Sequence, residues 1–284
     1  MSETEVFTAS LARSDNKNSD VYDEAEMTKS ARLKRVKVLA LRSLVLVAII
    51  GGWQLASGTI IDAFFISTPT EIVSRIVTWI TDGTLAESLL FTMQAMLLGF
   101  AIGAVAGILL GLILGRADML ANVLDPFILA VYSLPKVALV PLFLLWFGIG
   151  LKTNTAIAAL TVFFLVFFNT YSGARTVDQD LIDVVRLMGG TRRQVFRTVV
   201  VPSAMVWIFT GLRLAVPYAL IGAIVGEIVA SDRGLGFLIR RSAGFFDTAG
   251  VFAALAVLMI VSGGLNALVN KLESRTSRWR ALPQ

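Results

Sequence analysis

Lys136, Arg213 and Glu227 are charged side chains set inside long apolar stretches ("SLPKVALVPLFLLWF", "GLRLAVPYALIGAIVGEIVA"). A charge in such a place is expensive, and it marks a solute or ion pathway, a pair or a polar cavity. No histidine or cysteine accompanies them. That excludes thiol nucleophiles, disulfides and the commonest metal ligand, and leaves little for an acid–base or metal centre. The chemistry open to these residues is electrostatic. A second polar group is "DVVRLMGGTRRQVFRTVVVPSA" (183–204), where a double glycine, four arginines and a proline interrupt apolar chain.

The elements that carry these residues must be membrane helices. Of 284 residues, 56% are hydrophobic and 16% charged, against about 25% charged in a soluble domain. Several runs exceed the roughly 18 apolar residues that cross a bilayer as a helix. Barrel strands would be short and alternating. The fold class is therefore all-α and polytopic. A net charge of +5 suits nucleic acid in a soluble protein; here charge bias in cytoplasmic loops explains it better, and no nucleic-acid partner is expected. Residues 1–30 are polar and mildly acidic, without the apolar core of a cleaved signal peptide. They are expected to be a disordered cytoplasmic tail, and 31–284 to form the membrane domain.

Six spans are predicted, at about 38–57, 88–114, 123–147, 155–171, 202–230 and 250–269. Gly99, Gly103, Gly107 and Gly111 repeat every four residues in the second, which lets another helix approach closely. Pro135 and Pro141 break the third. Between the first two spans, Ile72, Ile76 and Ile80 with Val73 and Val77 recur at helical spacing after Pro69. That helix either lies on the outer membrane surface or packs on protein. Six spans put both termini on one side. The inner loops and flanks then hold roughly three times the Lys and Arg of the outer loops, and the insert after the fourth span is cytoplasmic.

Depth follows from helical rise. Lys136 is ten residues past Pro126 and Arg213 eleven past Pro202, each about 15 Å along a helix and near the midplane of a roughly 30 Å core. They either favour an anionic solute or pair with backbone carbonyls or a neighbouring helix. Glu227 lies fourteen residues beyond Arg213, roughly 21 Å away, so the two cannot pair within one helix. It is expected near the outer end beside Asp232 and Arg233. There it is a hydrated interfacial carboxylate, or part of an outer gate or docking surface.

The insert, about 177–197, reads as helix, Gly-Gly break and helix. Leu181, Val184, Val185 and Met188 form an apolar stripe with acids opposite. Gly189 and Gly190 end that helix and Thr191 is a fair N-cap for the next. Pro202 stands at the start of the fifth span, where it costs no backbone bond. Such a segment is either a plug for a partner or an ordinary loop with interfacial helices.

The insert resembles the EAA loop of ABC importer permeases. Asp183-Val184-Val185 stands for E-A-A, Gly189 falls at the matching spacing, and Val199-Val200-Val201-Pro202 stands for I-x-L-P. The departures are Asp for Glu and Val-Val for Ala-Ala. "SLPKVALVPLFLLWFGIG" (133–150), "GLRLAVPYALIGAIVGEIVASDRGLGFLI" (211–239), "LDPF" (124–127) and "STPTEIV" (67–73) resemble the nitrate/sulfonate/taurine group of that family. The resemblance implies a type I ABC importer permease fold with six transmembrane helices and a cytoplasmic coupling helix. It places ATPase coupling on Asp183, Val184, Val185, Gly189, Gly190, Arg192 and Pro202. It implies two copies of an ABC ATP-binding subunit, a second permease copy in a homodimer, and a solute-binding protein outside. The location implied is a bacterial plasma membrane, with a small anionic solute as cargo. The chain has no phosphate loop of the form GxxxxGK[ST]; "GIGLKT" (148–153) has the wrong spacing. ATP is thus expected on another polypeptide, and this subunit is expected to be non-catalytic and without cofactor. The alternative is a secondary transporter or channel with no ATPase, which would usually show two similar halves; no internal repeat is evident.

Overall fold

The computed structural model describes residues 36–276, so the 1–30 tail lies outside the described residues. The chain divides into two units, Met1–Ala63 and Phe64–Gln284. In the first, helix α1 spans Val36–Ala56 and exposes Leu44, Val47 and Leu55. It has the length and hydropathy to cross a membrane.

The second unit begins its named helices with α2 (Pro69–Thr81). Thr68 and Glu71 form a reciprocal capping box, and Pro69 sits where its missing N–H costs nothing. Ile72 and Trp79 are buried, while Val73, Val77 and Ile80 are exposed. One face of the helix thus packs on protein and an apolar face remains outward. Asp82 follows. The Thr84 backbone and side chain hydrogen bond to its carboxylate and hold it below the usual carboxylate range.

Three long helices make the core: α3 (Thr84–Leu114), and, after two shorter helices, α6 and α8. The shorter pair is α4 (Asp118–Ser133) and α5 (Val140–Phe147). α6 is Leu151–Arg175, α7 is Gln179–Leu187 and α8 is Val201–Ala230. α9 (Leu235–Gly244) and α10 (Thr248–Thr276) complete the order.

α6 is held between two faces of small residues. On α3, a Cβ at Gly99 would stand 2.5 Å from Ala158 Cβ, and one at Gly111 would stand 2.7 Å from Thr170 Cβ. On α8, a Cβ at Gly222 would stand 2.8 Å from Ala158 Cα. Lipid gives no hydrophobic drive between helices, so this close approach supplies the packing that joins them. Ala95, Met96, Val162, Val166, Ala215 and Ala219 fill the buried cluster between the three.

The third predicted span, 123–147, is not one rod. Its two halves meet at 89°, with Leu134 and Pro135 extended and Lys136–Leu139 a 3-10 turn. Pro135 cannot donate a helical bond, and it pushes the preceding residue out of the α region. Pro141 falls in the first turn of α5 and breaks nothing. Among the described residues, five helices are long and apolar enough to cross a membrane, or six if this bent pair is one span.

The fifth span also differs. Arg192–Val195 is α-helical, Phe196–Val200 is a π turn, and α8 follows without a break. Together they form one apolar helix of 39 residues. Pro202 therefore stands inside a continuous helix rather than at its beginning. The wider π turn takes up the bond and the space that its ring denies.

Candidate functional site

The polar insert is built on one buried contact. Asp178 caps α7 by accepting from Asp180 N–H at 2.9 Å. Ile182 is fully buried in a cluster with Ala174, Val195, Val199 and Ala204. Val185 packs at the edge of that cluster. The other side of the helix looks outward: Leu181 and Val184 are exposed, Leu187 is 88% exposed and Met188 83%. Asp183 is half exposed and pairs with Arg186 at 3.5 Å. Its Oδ1 also accepts from Gln179 Nε2 at 3.3 Å. Such exposed pairs contribute little to stability.

The double glycine has two different causes. Gly189 has φ +82° and open space around it, the left-handed residue that ends a helix. Its N–H reaches Arg186 O, and the Gly190 N–H reaches Val185 O. Gly190 lacks room: a Cβ there would stand 2.6 Å from Val185 Cγ1. Thr191 then opens the next helix through a capping box with Gln194, whose Oε1 accepts from Thr191 N–H at 2.7 Å. Arg192 follows, exposed on the first turn. The insert thus presents a short amphipathic helix with a bare apolar end, fixed by Ile182 and joined through the π turn at Phe196–Val200 to α8, whose first turn holds Pro202.

Lys136 stands at the bend between α4 and α5. Its Nζ lies 4.5 Å from the Tyr132 ring centroid and 5.8 Å from that of Phe164. It also donates to Tyr132 O at 3.4 Å. Tyr132 packs edge-on against Phe168. The aromatic faces partly balance the ammonium charge. Arg213, exposed on α8, donates to Asn270 Oδ1 of α10 at 3.4 Å. The two cations are thus served by different helices.

Glu227 is not a hydrated surface carboxylate. It is 0% exposed. Its Oε2 accepts from the Gly236 N–H at 2.8 Å and lies 3.0 Å from Thr92 Oγ1. Arg233 pairs instead with Glu87, at 3.4 Å, and with Asp232, at 3.5 Å. The turn after α8 folds back over Glu227 and closes it off, which counting along one helix does not reveal. Thr92 carries a signal legible in the sequence: it lies on the glycine-bearing face of α3, which continues back through Thr92 to Ser88, both buried.

Comparison with known proteins gives a consistent result. The family model described as "Binding-protein-dependent transport system inner membrane component" matches residues 103–278. The formylaminopyrimidine transport permease protein ThiX of Halalkalibacterium halodurans is 34% identical over 233 residues, covering 80% of this chain and 91% of that protein. The putative aliphatic sulfonates transport permease protein SsuC of Bacillus subtilis is 32% identical over 233 residues, covering 82% and 84%. A chain from an inward-facing structure of the MetNI methionine ABC transporter shares the fold. Its TM-score is 0.56 at 19% identity, over 70% of this chain and 97% of that one.

Proposed function

This chain belongs to the family of binding-protein-dependent transport system inner membrane components, and from that membership we propose how its parts work. It is a permease of the ABC importer class, a non-catalytic membrane subunit whose family works with an ATPase subunit and a solute-binding protein. In our reading the insert from Asp183 to Pro202 is the coupling element. α7 docks in a groove of an ABC ATP-binding subunit. Asp183, Val184, Gly189, Gly190 and Arg192 shape the docking end, Val185 and Ile182 hold it to the membrane domain, and Pro202 passes its motion to α8.

One observation carries this reading: Leu187 and Met188 are apolar, among the most exposed large hydrophobics of the chain, and lie on a helix otherwise anchored by Ile182. Covering each would contribute roughly 1.5–3 kcal/mol. Two permease copies, each with a cassette, alternate between inward-open and outward-open states. Both termini lie in the cytoplasm of a bacterial cell, where the excess of Lys and Arg in the inner loops supports them.

The cargo is a small anionic solute. Lys136, at the bend of a broken apolar span, and Arg213, on a helix long and apolar enough to cross a membrane, support this. Lysine has three donors, and Tyr132 O takes one. The sulfonate named for the Bacillus relative is such an anion.

The test is to tag the chain, extract it from native membranes in mild detergent, and identify what comes with it by mass spectrometry. A near-stoichiometric ATP-binding cassette subunit is the expected result. A clean homo-oligomer without ATPase, from membranes that express one, would favour a secondary transporter.

A further inference from the structure

α9 begins without a cap of its own. Its N-cap residue is Gly234, and no side chain of the turn accepts a bond from its first N–H groups, although the first turn of any helix leaves such donors orphaned. The acceptors come from two other helices. Thr92 Oγ1 of α3 accepts from Leu235 N–H at 3.0 Å, and Glu227 Oε2 of α8 accepts from Gly236 N–H at 2.8 Å. Thr92 Oγ1 also lies 3.0 Å from Ser88 O. Glu227, Thr92 and Leu235 are each 0% exposed.

Gly234 explains itself against this. Its φ is +104°, and a Cβ would stand 2.5 Å from Glu227 Oε2. The position that a local Ser or Asp cap would fill is taken by the carboxyl group of Glu227. The turn is also held from outside. Arg233 reaches Glu87 of α3 at 3.4 Å, and Arg240 of α9 donates to Ser231 O, at the end of α8, at 2.6 Å. A buried acid is a costly way to fill space; here it satisfies a backbone donor at the positive end of a helix.

We infer that Glu227 and Thr92 are positioning residues, which cap α9 from α8 and α3 and so make these three helices one body that moves together through the transport cycle. The inference deepens the transport reading and rests on it only for the cycle.

The chain has no cysteine, so a single Leu235→Cys reports on the cap without background. The chain, with whatever ATPase co-purifies, is placed in nanodiscs and treated with a fluorescein maleimide, with and without ATP and vanadate. Phe245→Cys, at an exposed site, is the reactive control. The expected result is slow labelling at 235 in both states for the parent and for Glu227→Gln, which keeps an acceptor for Gly236. Glu227→Ala and Thr92→Val should label about tenfold faster, as loss of a cap opens the local structure, with the control unchanged. Labelling at 235 as fast as at 245 in either state of the parent would overturn the inference, as would slow labelling in both Glu227→Ala and Thr92→Val. If Glu227→Ala does not accumulate, Thr92→Val decides. If no ATPase co-purifies, the transport reading fails, and the nucleotide-free comparison still decides the cap. In uptake, Glu227→Gln should restore the maximal rate lost in Glu227→Ala, with the apparent affinity for solute unchanged in both; no rescue by Gln would also overturn it.

Discussion

Ile182 and Leu187 share α7 and meet opposite surroundings: Ile182 is 0% exposed and Leu187 is 88% exposed. One side chain fixes the helix to the membrane domain, and the other waits at its free end. The first prediction separates them. Leu187→Asp with Met188→Asp should leave the chain folded, because surface changes usually fall within about 0.5 kcal/mol. It should abolish co-purification of the cassette. Ile182→Ala should instead cost about 2–5 kcal/mol, read as a lower melting temperature of the purified chain.

Gly189→Ala places a Cβ on a left-handed residue in open space. The cost is about 1–2 kcal/mol of backbone strain, relieved by bending the end of α7. Cassette binding and uptake should fall together, with Gly189→Asn milder. Loss of uptake with binding intact would take Gly189 out of the docking end.

Gly103→Leu should be the most damaging glycine change in the core. A Cβ there would run into the Ala159 backbone oxygen, a neighbour that cannot swing aside, with Val162 Cβ 2.9 Å away, and overpacking typically costs 1–3 kcal/mol, at times more. Gly263, with nothing within 4 Å, is the control; Gly263→Ala should be neutral or slightly stabilising. Melting of both variants in detergent checks this.

Lys136→Met and Arg213→Met should each weaken the apparent affinity for an anionic solute by about tenfold if they face its path, the worth of one partly desolvated charge contact. Uptake measured across solute concentrations reads this. Unchanged affinity with full transport would assign both residues to the contacts seen with Tyr132 and Asn270.

Much of this architecture is local enough to read from sequence. The four-residue period of Gly99 to Gly111 is a property of one helix, and so is the apolar stripe of 181 to 188. What the sequence does not yield is tertiary. Pro135 announces a break, but the 89° between the halves depends on how α4 and α5 are seated. Pro202 looks like a helix start until the π turn at Phe196–Val200 carries the helix through it. Glu227 looks wet because its helix nears its end; it is buried because Gly236, from the next turn, and Thr92, from a distant helix, close over it.

The most direct test of the coupling account is a cross-link at the free end of α7. Met188→Cys, in a chain with no other cysteine, is labelled with a maleimide–benzophenone reagent in membranes and irradiated, and the adduct is identified by mass spectrometry. The account predicts one dominant adduct, with an ATP-binding cassette subunit. Adducts only to lipid or to a second copy of this chain, with the cassette present in the same membranes, would contradict it.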